Sequence, residues 1–191
     1  MIPAPVSGID PSTYVLPSRR FTAPLVDYAM GSSAVGLSAK RNTLWTSSYD
    51  GANIQATPEG GSAVTLLTVP NVTRVAFDFD QLMRPVVGYQ TGGSSAFLWW
   101  YDSSVGSMVT VEYAGYKDIC VNLDVWETES QALSDVLVSA VKNSSQVVCR
   151  VQRERMLTEH VLLSGLVAES KLLNVGMANN RRLQWKVYPK L

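Results

Sequence analysis

"VVGYQTGGSSAFLWWYDSSVGSMVTVEYAG", residues 86–115, and "VLVSAVKNSSQVVCRVQRERMLTEHVLLSG", residues 136–165, align without a gap at an offset of 136 − 86 = 50. Both segments read as an apolar run, a polar turn, a second apolar run, a polar stretch, a third apolar run and a glycine. This pattern predicts a three-stranded meander that occurs twice. Five aligned pairs are identical: Val86/Val136, Ser94/Ser144, Ser95/Ser145, Val111/Val161 and Gly115/Gly165.

Looser copies of the same pattern occur at residues 34–57 and 170–189. About 50 residues therefore form one unit of roughly four strands, and we place the units at approximately 26–70, 71–120 and 121–191. The predicted fold class is all-β, with repeated four-stranded antiparallel blade-like units in a propeller-like sector or a β-sandwich. Because a closed propeller has roughly four to eight blades, the array is an open sector, a sandwich or a partial ring completed by another subunit.

One segment allows a competing interpretation. Residues 156–173, "MLTEHVLLSGLVAESKLL", also place leucine and valine at helical spacing. We predict a strand, because the aligned "SMVTVEYAG" alternates and is rich in β-branched residues. Gly165, in the middle of the segment, also disfavours a helix.

The first 25 residues differ from the rest in composition. Five prolines within 24 residues exclude helix and central strand over most of this segment. We predict an extended N-terminal docking arm at 1–25, ordered by partners, and a β-repeat domain at 26–191. The residues expected to contact a neighbouring subunit are Ile2, Val6, Ile9, Tyr14, Arg19, Arg20 and Phe21.

Composition and charge limit the classes of partner. The net charge is zero, and the charged fraction of 17% is low, which favours a surface partly covered by other subunits. No excess positive charge attracts nucleic acid or an anionic membrane. The N-terminus lacks a signal-peptide pattern and no apolar run is long enough to span a membrane, so we expect synthesis in the cytoplasm.

The aromatic run at residues 98–101 fits a strand. Alternation directs Trp99 and Tyr101 to one face and Leu98 and Trp100 to the other. The residues aligned with the first face are apolar and those aligned with the second are mixed. We therefore predict that Trp99 packs in the core and that Trp100 is exposed at an interface or a sugar-binding face.

The polar residues do not form a catalytic or metal-binding pattern, so we expect no enzyme, no metal and no cofactor. Because the acids lie at predicted turns, capping of local backbone is favoured over a calcium or paired-carboxylate site. His160 is the only histidine and is expected on a surface strand, and the two cysteines are expected to be buried and reduced. The acids in question are Asp78, Asp80, Glu127, Glu129 and Asp135, and the cysteines are Cys120 and Cys149.

Arg150, Arg153 and Arg155 form a basic cluster in "CRVQRERMLTEH". Such a cluster can meet phosphate. A solvated strand end or a salt-bridged subunit contact is the favoured interpretation, because such positions are commoner.

Four stretches together resemble uncharacterised tail-associated virion proteins of tailed bacteriophages, in which a blade-like unit recurs. They are "VAFDFDQLMRPVVGYQ", "FLWWYDSSVGSMVTVEYAG", "VVCRVQRERMLTEHVLLSG" and "VGMANNRRLQWKVY", and the resemblance covers roughly residues 70–190. It implies a structural or adaptor component in the tail or head-to-tail region of the virion. The implied partners are other virion proteins, namely tail, adaptor or portal-proximal subunits, with the chain itself a homo-oligomer in a ring.

Two alternatives stay open. A receptor- or carbohydrate-binding module of the phage tail would use Trp100 and neighbouring loop residues to stack on a host-surface glycan. A propeller glycosidase would need carboxylates converging at one end of a closed propeller, and the number of predicted blades is too small for closure.

Overall fold

The computed structural model describes residues 25–36, 41–124, 135–167, 170–177 and 183–188. Within these ranges the regular structure is β-strand, with one short 3-10 turn at Gln152–Glu154. The strands are β1 Val26–Gly31, β2 Thr43–Tyr49, β3 Asn53–Pro58, β4 Val64–Thr68, β5 Val72–Phe79, β6 Pro85–Thr91, β7 Ser95–Asp102, β8 Ser107–Ala114, β9 Tyr116–Asp124, β10 Asp135–Lys142, β11 Gln146–Val151, β12 His160–Ser164, β13 Lys171–Met177 and β14 Leu183–Tyr188.

The strands form sheets in chain order. The first sheet is β1-β2-β3-β4, the second is β5-β6-β7-β8, the third is β9-β10-β11-β12, and the fourth is the pair β13-β14. Every neighbouring pair is antiparallel. The structure thus confirms the predicted all-β class with recurring four-stranded antiparallel units.

The sheets pack face to face, with a hydrophobic core between each successive pair. Phe77 and Val87 of the second sheet pack with Ile54 of the first. Alternate residues of the second sheet face the third, as the shared core of Leu98 and Val148 shows. A third, smaller core between the third and fourth sheets contains Val141, Val147 and Leu172.

The first strands of successive sheets lie together. β1 contacts β5, β5 contacts β9, and β9 contacts β13. Each of these strands is the edge of its own sheet. The sheets therefore fan out from a common line of first strands, as blades do around a propeller axis.

Aspartates connect these first strands. Asp27 Oδ2 accepts the backbone N–H of Phe77 at 3.0 Å, and Asp78 Oδ2 accepts that of Leu123 at 2.7 Å. Asp118 Oδ2 accepts the N–H of Leu172 at 3.3 Å. Each successive pair of blades is thus joined by a carboxylate that bonds the backbone of the following blade.

The repeat exists, but its structural offset is not a uniform 50: the first hairpins of the two meanders are offset by 51, whereas the second hairpins, which pair Leu98 with Val111 and Val148 with Val161, are offset by 50. The β6–β7 hairpin pairs Gln90 with Ala96, and the β10–β11 hairpin pairs Lys142 with Gln146. The midpoints of these pairs are residues 93 and 144, which differ by 144 − 93 = 51. Because side chains alternate along a strand, a shift of one residue exchanges the two faces.

The aligned valines do not occupy equivalent positions. Val86 and Val136 are both buried in the core between the second and third sheets, but they enter it from opposite sides. Val111 packs against that core, whereas Val161 is 53% exposed. The expectation that Val111 and Val161 occupy equivalent buried positions is therefore wrong.

The competing helix is absent from the described part of residues 156–173, where His160–Ser164 forms β12. Gly115 and Gly165 follow β8 and β12 and have φ values of 75° and 77°. This left-handed conformation accounts for glycine at both positions.

Two further expectations concern other parts of the chain. The proposed arm residues Ile2, Val6, Ile9, Tyr14, Arg19, Arg20 and Phe21 lie outside the described residues. Among the residues that are described, no helix is long and apolar enough to cross a membrane.

Candidate binding cleft

A polar cleft of about 490 Å³ lies between the second and third sheets. Three connections supply most of its wall: the β5–β6 turn, the β7–β8 turn and the 3-10 turn after β11. Stacking of the sheets brings these turns together from positions about 70 residues apart in the chain. The lining residues are Gln81, Leu82, Arg84, Trp100, Tyr101, Ser103, Asp135, Gln152, Arg153 and Arg155.

The β5–β6 turn is organised by Asp80, which is fully buried. Its Oδ1 accepts the backbone N–H groups of Leu82 at 2.8 Å and Arg84 at 3.0 Å. Its Oδ2 accepts hydrogen bonds from Arg84 Nε at 2.7 Å and Nη2 at 2.6 Å. The turn-capping role predicted for Asp80 is confirmed, and the same carboxylate fixes the guanidinium of Arg84 4.0 Å above the ring of Tyr101.

The β7–β8 turn is organised by Asp102 in the same way. Asp102 Oδ1 accepts the N–H of Ser104 at 2.8 Å and its hydroxyl at 2.7 Å. The Ser104 hydroxyl, with help from the Ser104 N–H and Arg155, outweighs burial and lowers the pKa of Asp102. An ionised Asp102 therefore lies 3.4 Å from Nη2 of Arg155.

The 3-10 turn presents the other two arginines. Arg155 ends it in a left-handed conformation with φ 56°, and its N–H donates to the carbonyl of Gln152 at 2.7 Å. Asp135 accepts the backbone N–H of Arg153 at 3.0 Å and also pairs with its guanidinium. Among the described residues, each of the three cleft arginines is thus paired with a buried carboxylate.

Three buried polar atoms of lining residues have no hydrogen-bond partner among the residues that the structure describes: Nε1 of Trp100, Oε1 of Gln81 and Oε1 of Gln152. Buried polar groups without a hydrogen-bond partner are rare in folded proteins, because burying a donor or an acceptor without a hydrogen bond costs free energy. Because each of these atoms is fully buried, they belong to the interior behind the cleft rather than to its surface.

The burial of Trp100 shows that one prediction was wrong. It is 2% exposed and packs in the core between the second and third sheets, whereas the sequence predicted an exposed side chain. Both faces of β7 are covered, because the second sheet lies inside the stack. Trp99, expected in the core, is half-buried on the face toward the first sheet.

Arg150, expected at a basic strand edge, is instead enclosed. Its guanidinium donates to the carbonyls of Met156 and Leu157 at 2.9 and 2.6 Å and lies 4.8 Å from the centroid of the Tyr113 ring. It also pairs with Glu159 at 3.1 Å. The role of Arg150 within this structure is to hold the β11–β12 connection against the core.

Arg153 and Arg155 remain accessible, with side chains 67% and 51% exposed. These two arginines line the cleft, and Arg150 is not among the lining residues. The predicted basic cluster therefore has two roles: Arg150 holds the β11–β12 connection, and Arg153 and Arg155 line the cleft.

The remaining candidates that the structure describes have structural roles. Asp78 accepts the N–H of Phe79 as well as that of Leu123, so it joins two blades in addition to bonding local backbone. His160 is on a surface strand, as predicted, and lies 2.7 Å from Glu154. Glu127 and Glu129 lie outside the described residues. Within the described residues, no group of histidine, cysteine and acidic side chains could hold a metal ion.

Both cysteines are buried and free, which confirms the expectation for Cys120 and Cys149. Burial raises the pKa of each thiol to about 11. A thiol that stays protonated at neutral pH is a poor nucleophile.

Sequence reasoning did not select Gln81, Arg84 or Gln152 as site residues. They stand in separate connections, and nothing in the local pattern marks them as neighbours. Comparisons with protein-family models, with curated proteins and with solved structures give no match.

Proposed function

We propose that this chain is a structural or adaptor subunit of a larger assembly and, following the resemblance, that the assembly is the tail region of a tailed-bacteriophage virion. The proposal rests on one observation, the outer face of the first sheet, which lies at the end of the row of sheets. Inner strands such as β6 and β10 are buried on both faces, whereas the outer face of the first sheet exposes Tyr28, Met30 and Leu44 by 39%, 45% and 40%. Clusters of exposed apolar side chains mark interaction surfaces.

The strand register brings these side chains together. Met30 on β1 pairs with Leu44 on β2, so the two side chains stand on the same face. Tyr28 is two residues from Met30 and shares that face. In a closed propeller the corresponding face would be covered by another blade.

The occupant that we propose is the fourth sheet of a second copy. This sheet has two strands, and the side chains of Lys171, Lys186 and Tyr188 are exposed on it. It is the other end sheet of the row, so it is the face that a head-to-tail contact would place against the first sheet.

Contact between the last sheet of one copy and the first sheet of the next is head-to-tail. Repetition of a head-to-tail contact produces a ring when the rotation closes. The blades would then continue from copy to copy, which agrees with a stack of three four-stranded sheets and a two-stranded one in each chain.

Sedimentation equilibrium over a range of concentrations tests this proposal. The unmodified chain should form oligomers, and Met30→Lys should shift it to monomer, because a charge would be buried in the contact. Val105→Lys is the matched control, since Val105 is 61% exposed in the β7–β8 turn, away from the first sheet. The proposal fails if the unmodified chain is monomeric at every concentration, or if both variants weaken association equally.

A further inference from the structure

We propose that residues 12–16 of a second copy add a strand to the free edge of the fourth sheet. This strand addition rests on the head-to-tail contact proposed above, and it names the segment of the next copy that completes the fourth sheet. The evidence is what covers the outer strands of the first three sheets.

Each of the first three sheets has an equivalent cross-strand pair between its third and fourth strands. The pairs are Ile54 with Leu67, Leu98 with Val111, and Val147 with Leu163. The third-strand residue is buried in every case, with 0%, 0% and 2% of its surface exposed. Each of these buried residues lies in the core shared with the following sheet.

The fourth-strand residues of these pairs differ in burial. Leu67 and Val111 are partly buried and pack against the same cores as their partners. Leu163 is 46% exposed, although its partner Val147 is buried. The following sheet has four strands in the first two cases and two described strands, β13 and β14, in the third. Among the described residues, the outer half of the third sheet therefore lacks the cover that its counterparts have.

The outer edge of β14 is the place for a further strand. β13 is the first strand of the fourth sheet and contacts β9, so β14 lies on the outer side. Within the part of the chain that the structure describes, β14 pairs with β13 alone, and its other edge presents backbone N–H and C=O groups. An exposed sheet edge is a template for a strand from another chain. A strand added there extends the fourth sheet toward β12 and over Leu163.

The segment that precedes β1 contains a sequence suited to an edge strand. After its serine, "STYVL" at residues 12–16 consists of β-branched, aromatic and aliphatic residues. A proline flanks it on each side, and proline is tolerated at the ends of strands and on edge strands. Its five residues equal the lengths of β4 and β12, the outer strands of the first and third sheets. Tyr14 and Leu16 stand on one face of such a strand and offer apolar surface to Leu163.

The head-to-tail contact brings this segment within reach of the fourth sheet. Residues 12–16 precede β1, the first strand of the first sheet, and that sheet faces the fourth sheet of the neighbouring copy in the proposed contact. Residues 17–25 connect the two strands and span up to about 30 Å when extended. The path crosses one sheet-to-sheet spacing of about 10 Å and two strand spacings of about 4.8 Å each. The connection is therefore long enough.

Cross-linking tests the contact in the full chain, whose native cysteines are buried. Tyr14→Cys and Leu163→Cys are mixed in equal amounts and treated with a bis-maleimide reagent. The mixture should give a covalent dimer, and neither variant alone should give one. Val105→Cys replaces Leu163→Cys in the matched control, because Val105 is 61% exposed but lies in the β7–β8 turn. The control mixture should give no dimer.

Proline substitutions test the backbone pairing. Successive residues of a strand direct their N–H groups to opposite edges, so either Tyr14→Pro or Val15→Pro removes a donor to β14. That variant should raise the dissociation constant of the oligomer about fivefold in sedimentation equilibrium, the value of one hydrogen bond. Ser7→Pro is the control, since it adds a proline outside the proposed strand and should leave association unchanged.

Three results would overturn the strand addition. The mixture of Tyr14→Cys and Leu163→Cys gives no dimer, or the Val105→Cys control gives as much dimer, or Tyr14→Pro and Val15→Pro weaken association no more than Ser7→Pro does. Cross-linking within one chain of the Tyr14→Cys/Leu163→Cys double variant, without a dimer from the mixture, would show that the segment covers its own fourth sheet.

Met30→Lys separates this inference from the proposed assembly. If Met30→Lys dissociates an oligomer but Tyr14→Cys and Leu163→Cys do not cross-link, the strand addition is wrong and the head-to-tail contact stands. If the unmodified chain is monomeric at every concentration, the head-to-tail contact itself is wrong, and the strand addition fails with it.

Discussion

At the scale of single residues, β7 shows why alternation alone does not determine burial. Alternation correctly predicted that Trp99 and Trp100 lie on opposite faces. It could not predict that both faces are covered, because that depends on the third sheet, which is formed by residues beyond position 115. Arg150, which aligns with Trp100, suggested that this face of the strand is exposed. Its guanidinium is instead enclosed by Tyr113, Tyr116 and backbone carbonyls.

We expect Trp100→Ala to lower the free energy of unfolding by about 3–5 kcal/mol, the range for large aromatic truncations in cores. Trp99→Ala should cost less, because Trp99 is half-buried. Urea denaturation of both variants measures the difference. A larger loss for Trp99→Ala would contradict the placement of Trp100 in the core.

Glu159 illustrates a second residue-level effect. Burial by itself raises the pKa of this carboxyl, but hydrogen bonds from Lys142 and Tyr116 and the charges of Lys142 and Arg150 lower it below its usual value. Lys142 Nζ lies 2.7 Å from Oε1, and Arg150 Nη2 lies 3.1 Å from Oε2. A carboxyl with a lowered pKa in the folded state stabilises the protein above its unfolded pKa, about 4.3 for glutamate.

The stabilisation from Glu159 should therefore be present at neutral pH and decline as the pH falls through about 4 toward the lower pKa of the folded state. Glu159→Gln should be less stable than the unmodified chain at pH 7, and the difference should shrink as the pH falls. Urea titrations at a series of pH values measure it. Glu112→Gln is the control, since Glu112 is exposed on β8, and a constant difference for Glu159→Gln would contradict the expected linkage.

At the scale of elements, the strands and turns were predictable and the pairing of repeats was not. The alternating, β-branched run "SMVTVEYAG" identified β8, and the repeat identified the meanders. The offset of 50 came from five identities, but the β6–β7 connection spans five residues between paired positions and the β10–β11 connection spans three. Because the two turns differ in length by two residues, the midpoint of the second hairpin lies one residue away from the position that the sequence alignment gives it. Identical residues do not show this difference.

The aspartates between first strands are another feature that sequence alone does not show. Asp78 accepts the N–H of Leu123 and lies 3.2 Å from Nη1 of Arg41, so one carboxylate joins parts of three sheets. Asp118 repeats this arrangement with Leu172 and with Arg74 at 3.2 Å. The local sequence predicted turn capping, because the distant partners are brought in only by the stacking of blades.

We expect Asp78→Ala to lower the free energy of unfolding by about 3–5 kcal/mol, because removing one partner leaves a mostly buried Arg41 without its counter-charge. Asp78→Asn should cost less, since the amide oxygen can still accept the N–H of Leu123. Chemical denaturation of Asp78→Ala, Asp78→Asn, Arg41→Ala and the Asp78→Ala/Arg41→Ala double variant measures the coupling between the two side chains. A loss below about 1 kcal/mol for Asp78→Ala, within the range of ordinary substitutions, would show that the carboxylate does not join the blades.

At the scale of the whole molecule, the number of blades is the decisive feature. Among the described residues, three four-stranded sheets and a two-stranded sheet leave two outer faces, and the first of these carries exposed Tyr28, Met30 and Leu44. The sequence predicted an array too short to close within one chain. It could not show which side chains remain at the open end, because that depends on the register between β1 and β2.

The contact between copies is tested most directly by cross-linking Leu44→Cys and Tyr188→Cys, which place one thiol on each outer face. Leu44 and Tyr188 are 40% and 55% exposed. The native Cys120 and Cys149 should not react in the folded protein, since burial raises the pKa of each to about 11. With a bis-maleimide reagent, an equimolar mixture of the two variants should yield a covalent dimer, and each variant alone should remain monomeric on a denaturing gel. A covalent dimer of Leu44→Cys alone, or no dimer in the mixture, would contradict head-to-tail assembly.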